Sequence, residues 1–141
     1  MATQRTLRPQ PHFPEQDSQP FWEATKQHKL MYQKCNSCHG VVFYPRSHCT
    51  HCGSLDLSWH ESKGRGTVYT FSVIMQSRHP SFKDLGAFPV AYVDLDEGFR
   101  IMSTVVGVKD PVNDIKCGMK VKVRWEDQGQ GGISLPLFEP A

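Results

Sequence analysis

The spacing of apolar positions changes along this chain, and each change marks an element. Phe21, Ala24, Thr25 and His28 recur at helical spacing, with Asp17 or Ser18 placed to cap and Pro20 tolerated in the first turn. A short helix ending near Leu30 is expected. Farther on, TVYTFSVIMQ (Thr67 to Gln76) is a β-branched and aromatic run that predicts a long strand. VAYVDLD (Val90 to Asp96) and FRIMSTVVG (Phe99 to Gly107) predict two more, joined by a hairpin at Glu97-Gly98 where glycine supplies the positive φ. KVKVRWED (Lys120 to Asp127) alternates charged and apolar residues with period two, so one face is wet and the other buried. After the flexible QGQGG, ISLPLFEP adds a last short strand.

The intervening stretches read as breakers. SRHPSFKDLGAFP is a loop bounded by Pro80, Gly86 and Pro89, and VKDPVNDIKCG holds a turn and one helical turn. Pro9, Pro11 and Pro14 give residues 1–17 the character of an extended arm. Five mostly antiparallel strands in about 75 residues cannot cover both faces of an open sheet, and closing on themselves removes the edges. The fold class expected is mainly β: an N-terminal helix and a cysteine module over 18–60, then a five-stranded OB-type barrel over 61–141.

The cysteine module changes the picture most. Four of the chain's five cysteines stand in KCNSCHGVVFYPRSHCTHC as two CxxC pairs, Cys35/Cys38 and Cys49/Cys52, with ten residues between the pairs. Two such turns let four thiolates converge tetrahedrally on one Zn²⁺ at about 2.3 Å per bond. Four thiolates close the coordination sphere, so the site is structural and leaves no position for water or substrate. All-thiolate sites also suit iron, which is the rival metal. Gly40 and Gly53, just after the pairs, are expected at positive φ. His39, His48 and His51 beside the ligands read as turn residues, and Cys117 is left over as a small buried thiol.

Charge adds little, with Lys+Arg 16 against Asp+Glu 14. That balance lacks the electrostatic footprint of non-specific phosphate-backbone binding. No apolar run approaches the roughly 20 residues of a membrane-spanning helix, and the start has no apolar secretory core, so a cytoplasmic location is expected. In a reducing compartment, CxxC pairs read as metal ligands rather than disulfides.

The order PFWEA, a strand from Leu30 to Cys35, CNSCHGVVFYPRSHCTHCGS, GRGTVYTFSV, YVDLDEGFRI and KVKVRW resembles the DUF35 family, over about Pro20 to Phe138. The resemblance implies a rubredoxin-like zinc ribbon with an N-terminal helix, followed by an OB-fold domain associated with acyl-CoA. It also implies a partner role: a thiolase-like subunit supplies nucleophile and base, while this chain helps hold the acyl-CoA. Thiolysis, condensation or retro-aldol cleavage would then be the partner's reaction. For CoA, phosphates need cations and adenine a flat surface. Arg46 beside the ribbon, Lys63 and Arg65 at the ribbon-to-barrel junction, and Arg78 in the loop are the candidate cations. Phe43, next to Tyr44, is a candidate to stack a base or to pack ribbon on barrel. Phe82 and Phe88 would face the partner and its acyl-CoA tunnel, since loop aromatics are costly unless something buries them. The strand from Thr67 would line the OB cavity.

No catalytic set is assigned to this chain. The alternative reading is a zinc-ribbon and OB-fold nucleic-acid-binding protein, but Asp94, Asp96 and Glu97 group at the hairpin that would approach phosphate. A hydrolase of CoA esters would need a nucleophile or paired carboxylates, for which Asp94 and Asp96 are the available pair.

Overall fold

The computed structural model describes residues 8–11, 15–129 and 131–141. Positions 1–7 and 12–14 of the expected arm lie outside the described residues. The chain forms α1 (Gln19–Thr25), then β1 (Met31–Cys35), β2 (Val41–Val42) and β3 (Leu57–Glu61). These three strands make an antiparallel sheet in the order β2-β1-β3. β4 (Arg65–Ile74), β5 (Phe88–Leu95), β6 (Arg100–Ser103), β7 (Lys120–Asp127) and β8 (Ser134–Pro140) make a five-stranded antiparallel sheet in the order β6-β5-β4-β7-β8.

α1 stops earlier than its apolar spacing suggests, at Thr25. The Lys29 N–H reaches back to the Ala24 carbonyl (3.1 Å) and the His28 N–H to that of Thr25 (3.0 Å), a Schellman ending with His28 at φ 58° in the usual glycine position. A left-handed residue other than glycine costs about 1–2 kcal/mol. Contacts of the ring offset that cost: it stacks on Trp125 at 5.5 Å, and Nε2 lies 2.7 Å from Asp127 Oδ1.

β7 keeps the bounds of its alternating pattern, with Val121 buried and Lys120, Lys122 and Arg124 outside. β6 is shorter than FRIMSTVVG because after Ser103 the chain leaves β5 for β8. There Thr104 O accepts the Phe138 N–H (3.0 Å) and Phe138 O accepts the Val106 N–H (2.7 Å), forming a parallel bridge between Val105 and Phe138. The curled sheet thus meets itself as an OB-fold half-barrel. Gly98 sits at φ 98° in the expected hairpin.

One core serves barrel and helix alike: Val68, Val93, Ile101, Val105, Val121 and Phe138 are buried with Phe21, Leu30 and Phe99. The ribbon keeps only Cys35, Val42 and Cys49, with Leu57 against them. Between the two sheets, Glu97 clamps the linker. Its Oε2 accepts from Ser62 Oγ (2.8 Å) and its Oε1 from the Lys63 N–H (2.7 Å). Gly64 follows at φ 71°, where an added Cβ would lie 2.3 Å from Val123 Cγ1, so linker and β7 touch at a position only glycine fits.

Candidate functional site

The two CxxC turns are built alike. In the first, the Cys35 N–H donates to Gly40 O (2.9 Å) and the His39 N–H to Cys35 O (3.0 Å); in the second, Cys49 pairs with Ser54 O (2.8 Å) and Gly53 with Cys49 O (2.9 Å). The positive φ falls four residues after the first cysteine of each pair, at His39 (63°) and Gly53 (79°). Gly40 was expected to carry it and does not. Glycine is needed there for a different reason, because an added Cβ would meet His51 Cδ2 at 2.5 Å. His51 Nε2 lies 2.9 Å from Val41 O, which ties the second turn to β2.

The four sulfurs of Cys35, Cys38, Cys49 and Cys52 lie within 4.8 Å of one another. Cys35 and Cys52 Sγ are 3.7 Å apart, and Cys38 and Cys49 Sγ 3.6 Å. A regular tetrahedron with Zn–S of about 2.3 Å has edges of about 3.8 Å, so the donor set fits zinc. The chain therefore carries a zinc ribbon, and zinc when bound supplies the ribbon's cross-link.

The thiols are not equivalent. N–H groups, first that of Cys38 (3.4 Å), bring Cys35 down to about 6. Cys38 receives the Gly40 N–H, which lowers it, but desolvation and the neighbouring thiols prevail and push it up to about 12. Burial raises Cys49, yet the N–H groups of Cys52 and His51 and the Cys38 thiol bring it below its ordinary value. Metal binding needs thiolates, so zinc must displace the Cys38 proton throughout the neutral range. Apparent zinc affinity is therefore expected to fall about tenfold per pH unit, for that proton alone, as pH drops from 8 to 7. Below about 6 the Cys35 proton steepens the fall. Competition with a chelator at stepped pH measures this, and a flat profile would contradict it.

A cleft of about 960 Å³ runs along the seam between ribbon and barrel. Phe21 and Trp22 of α1, the segment Phe43 to Arg46, the loop residue Phe82, and Phe88, Met102, Leu135 and Leu137 of the barrel line it. Buried Gln33 holds the ribbon's contribution in place like a peptide group: its Oε1 accepts the Arg46 N–H (2.8 Å) and its Nε2 donates to Arg46 O (2.9 Å). Tyr44 then accepts the Met102 N–H at its hydroxyl (3.0 Å). Elsewhere in the cleft the Arg8 guanidinium pairs with Asp84 (2.7 Å) and Glu126 (3.4 Å), also bonds Ser81 O, and lies over Phe82.

Of the residues singled out from sequence, Phe43, Arg46, Phe82 and Phe88 come together in this cleft. Lys63, Arg65 and Arg78 are exposed and do not line it. Phe82 is half-buried rather than bare on the loop, and Phe88, expected in that loop, instead opens β5 opposite Ile74; their rings stack at 5.8 Å. Cys117, expected as a buried thiol, is exposed: Gly118 at φ 85° donates its N–H to Val68 O and turns the cysteine outward. Gln33 was not anticipated, although its signal is present. It is the polar residue on the inward parity of MYQKC, where Cys35 is also buried. Arg8 had no signal in its proline-rich surroundings. Gln33→Leu keeps the volume but strands two backbone groups of Arg46, a loss of about 1–3 kcal/mol. Zinc content should hold while protease cleavage near Tyr44 to Arg46 rises; unchanged cleavage would mean the clasp is dispensable.

Comparisons with known proteins agree on both parts of the chain. Residues 22–58 match the family model described as ChsH2, rubredoxin-like zinc ribbon domain, and residues 59–126 match that of ChsH2, C-terminal OB-fold domain. A probable enoyl-CoA hydratase alpha subunit of Thermomonospora curvata is 36% identical over 97% of this chain. The chain spans 41% of that relative's length. A DUF35 domain-containing scaffold protein of Methanothermobacter thermautotrophicus is 32% identical over 77% of this chain and 82% of its own. Among solved structures, a chain of the Ltp2-ChsH2(DUF35) aldolase superposes with a TM-score of 0.80 at 34% identity, covering 94% of this chain and 98% of that one.

Proposed function

Because this chain belongs to the DUF35 family, with the zinc-ribbon and OB-fold domains of ChsH2, we propose that it is a non-catalytic subunit that partners a thiolase-superfamily enzyme and holds an acyl-CoA for it. The observation that carries this reading is the cleft: about 960 Å³, walled by aromatic and aliphatic side chains, and placed where ribbon meets barrel. Its lining suits an apolar acyl or pantetheine chain. Arg46, exposed at its edge, is the cation for a CoA phosphate, and the Phe82–Phe88 stack, also lining the cleft, is the flat surface for its adenine. Lys63, Arg65 and Arg78 lie off the cleft and face the partner in this reading.

The zinc takes no part in bond breaking, because four thiolates leave it no open position. The chain acts by positioning: a thioester held against the partner's nucleophile reacts as if it were intramolecular. Residues 18–60 then serve as the ribbon unit and 61–141 as the barrel unit, in the cytosol. Among the described residues no helix is long and apolar enough to cross a membrane. The relatives, an enoyl-CoA hydratase alpha subunit and an aldolase, support a multi-subunit setting for CoA chemistry.

The test is affinity capture of the tagged chain from its host, with captured proteins identified by mass spectrometry and zinc measured in the same sample. Recovery of a thiolase-fold subunit whose acyl-CoA turnover falls when this chain is withheld is the expected result. Turnover by this chain alone, or capture without any such subunit, would overturn the reading.

A further inference from the structure

The barrel carries a second surface that the cleft does not account for. β7 sends Lys120, Lys122 and Arg124 outward, all exposed. The β4–β7 register sets Arg65 directly opposite Lys122 and Thr67 opposite Lys120, so these side chains share one face. Like charges directly opposite across a strand pair repel. Glu139 of β8 is the carboxylate that answers them, 3.7 Å from Lys122 and 3.3 Å from Arg124. Lys120 donates to Thr67 Oγ1 at 2.8 Å. Across β5, Asp94 stands opposite Thr67 and the Asp96 N–H donates to Arg65 O (2.9 Å). Among the described residues the four cations of β4 and β7 thus share this stretch of sheet with Glu139, Asp94 and Asp96. Asp94 is already paired with Arg100, which leaves the face with an excess of positive charge.

Across β5 and β6 the same face turns aromatic. Asp94, opposite Thr67, pairs with Arg100, whose guanidinium lies 3.5 Å from the Tyr69 ring centroid. Two residues along, Tyr92 stands opposite Met102, and Tyr44 reaches over to the Met102 N–H. Tyr44, Tyr69, Tyr92 and Met102 are 47%, 55%, 43% and 55% exposed. Tyrosine, methionine and arginine are enriched in the centres of protein interfaces. Tyr44 and Met102 also line the cleft, so the aromatic half of this face runs into the cleft's mouth.

We infer that this outer sheet face docks an acidic surface of the partner enzyme subunit, the cations of β4 and β7 meeting its carboxylates and the tyrosine patch packing over the cleft mouth. The inference rests on the partner reading above. Charge complementarity selects the occupant's sign, and the distribution of aromatics selects protein over nucleic acid. Bases stack on aromatics set among cations. Among the described residues the β7 cations have no aromatic on their face, since Trp125 has the opposite parity and stacks on His28, and the ring of Tyr69 is already covered by Arg100. The aromatic half instead contains Asp94. A subunit seated here would shut water out of the cleft while leaving the zinc knuckles unburied.

The test uses the full chain and the subunit captured with it, titrated at low and at physiological salt. Arg65→Glu with Lys122→Glu is expected to weaken binding by about tenfold or more at low salt and to flatten the salt dependence. Tyr92→Ala should weaken it by about tenfold at both salts, whereas Lys26→Glu with Lys29→Glu, the same charge change off this face, should stay within about twofold. If the double reversal lowers thermal stability, Lys120→Gln with Lys122→Gln carries the charge test. Equal effects of the two reversals, or none, would overturn the docking face while leaving the partner reading standing. Failure of the wild-type chain to recover any such subunit would overturn both. Binding of a single-stranded oligonucleotide that the β4–β7 reversal abolishes would put nucleic acid on the face and overturn the protein occupant.

Discussion

Cys49→Ser is expected to leave the chain without zinc and without the proposed partner subunit. Cys49 is 1% exposed and its sulfur lies 3.6 Å from that of Cys38, so a hydroxyl there leaves three thiolates around an ion that wants four. The ribbon has little else to hold it. Its own core is Cys35, Val42, Cys49 and Leu57, β2 is two residues long, and both turns close around sulfur. In a unit this small, metal binding and folding are one event, with an apparent zinc contribution of about 10–16 kcal/mol in ribbon-sized domains. Loss of the ion should unravel residues from about Asn36 to Asp56. It should also release the segment Phe43 to Arg46 from the cleft, since that segment is hung from β2 and the Gln33 clasp. Zinc should fall from about one per chain to nearly none, while the strand signal of the barrel persists on the larger core that it shares with α1. Capture of the partner should fail. A variant that loses its zinc yet binds the subunit with normal affinity would remove the ribbon from the interaction and leave the outer sheet face as the whole of it.

How much of this could be read beforehand depended on whether the signal was local. KVKVRWED gave β7 residue for residue because alternation is a property of one strand, and the paired CxxC turns carried the metal site because each turn closes within six residues. Where a second segment decides, the reading slipped. β6 ends at Ser103 rather than Gly107 because β8 takes over the next carbonyls, and α1 ends at Thr25 because His28 has Trp125 and Asp127 to stack on and bond. The first knuckle's positive φ went to His39 instead of Gly40, since a glycine can be required for room as well as for φ. The candidate cations divided for the same reason. Arg46 follows a buried strand into the cleft, while Arg65 is placed by a register with Lys122 that no spacing in the chain announces.

The two sheets are held together by a ring cluster around Phe99. Phe99 is 6% exposed and sits between them, its ring 5.1 Å from Tyr32 of β1 and 4.8 Å from Phe43, which in turn touches Phe21 at 5.9 Å. Hairpin geometry fixes its position: Phe99 O accepts the Leu95 N–H at 2.8 Å, and Glu97, two residues earlier, clamps the linker. Phe99→Ala removes a buried ring and leaves a cavity the rigid hairpin cannot close, a cost of about 3–5 kcal/mol. The aromatic contacts add about 0.5–1.5 kcal/mol. The melting temperature should drop by on the order of 10 °C or more. Zinc should stay bound, because the knuckle hydrogen bonds and sulfurs lie wholly on the ribbon side. If the cleft holds an acyl-CoA as proposed, its retention should fall as well, since Phe43 lines the cleft and loses its backing. Phe99→Leu should recover most of the stability, as a branched side chain refills much of the space. A loss below about 1 kcal/mol for Phe99→Ala, with ligand retention intact, would transfer the coupling of ribbon to barrel from this ring cluster to the Glu97 clamp, and Glu97→Gln would then be the variant that separates them.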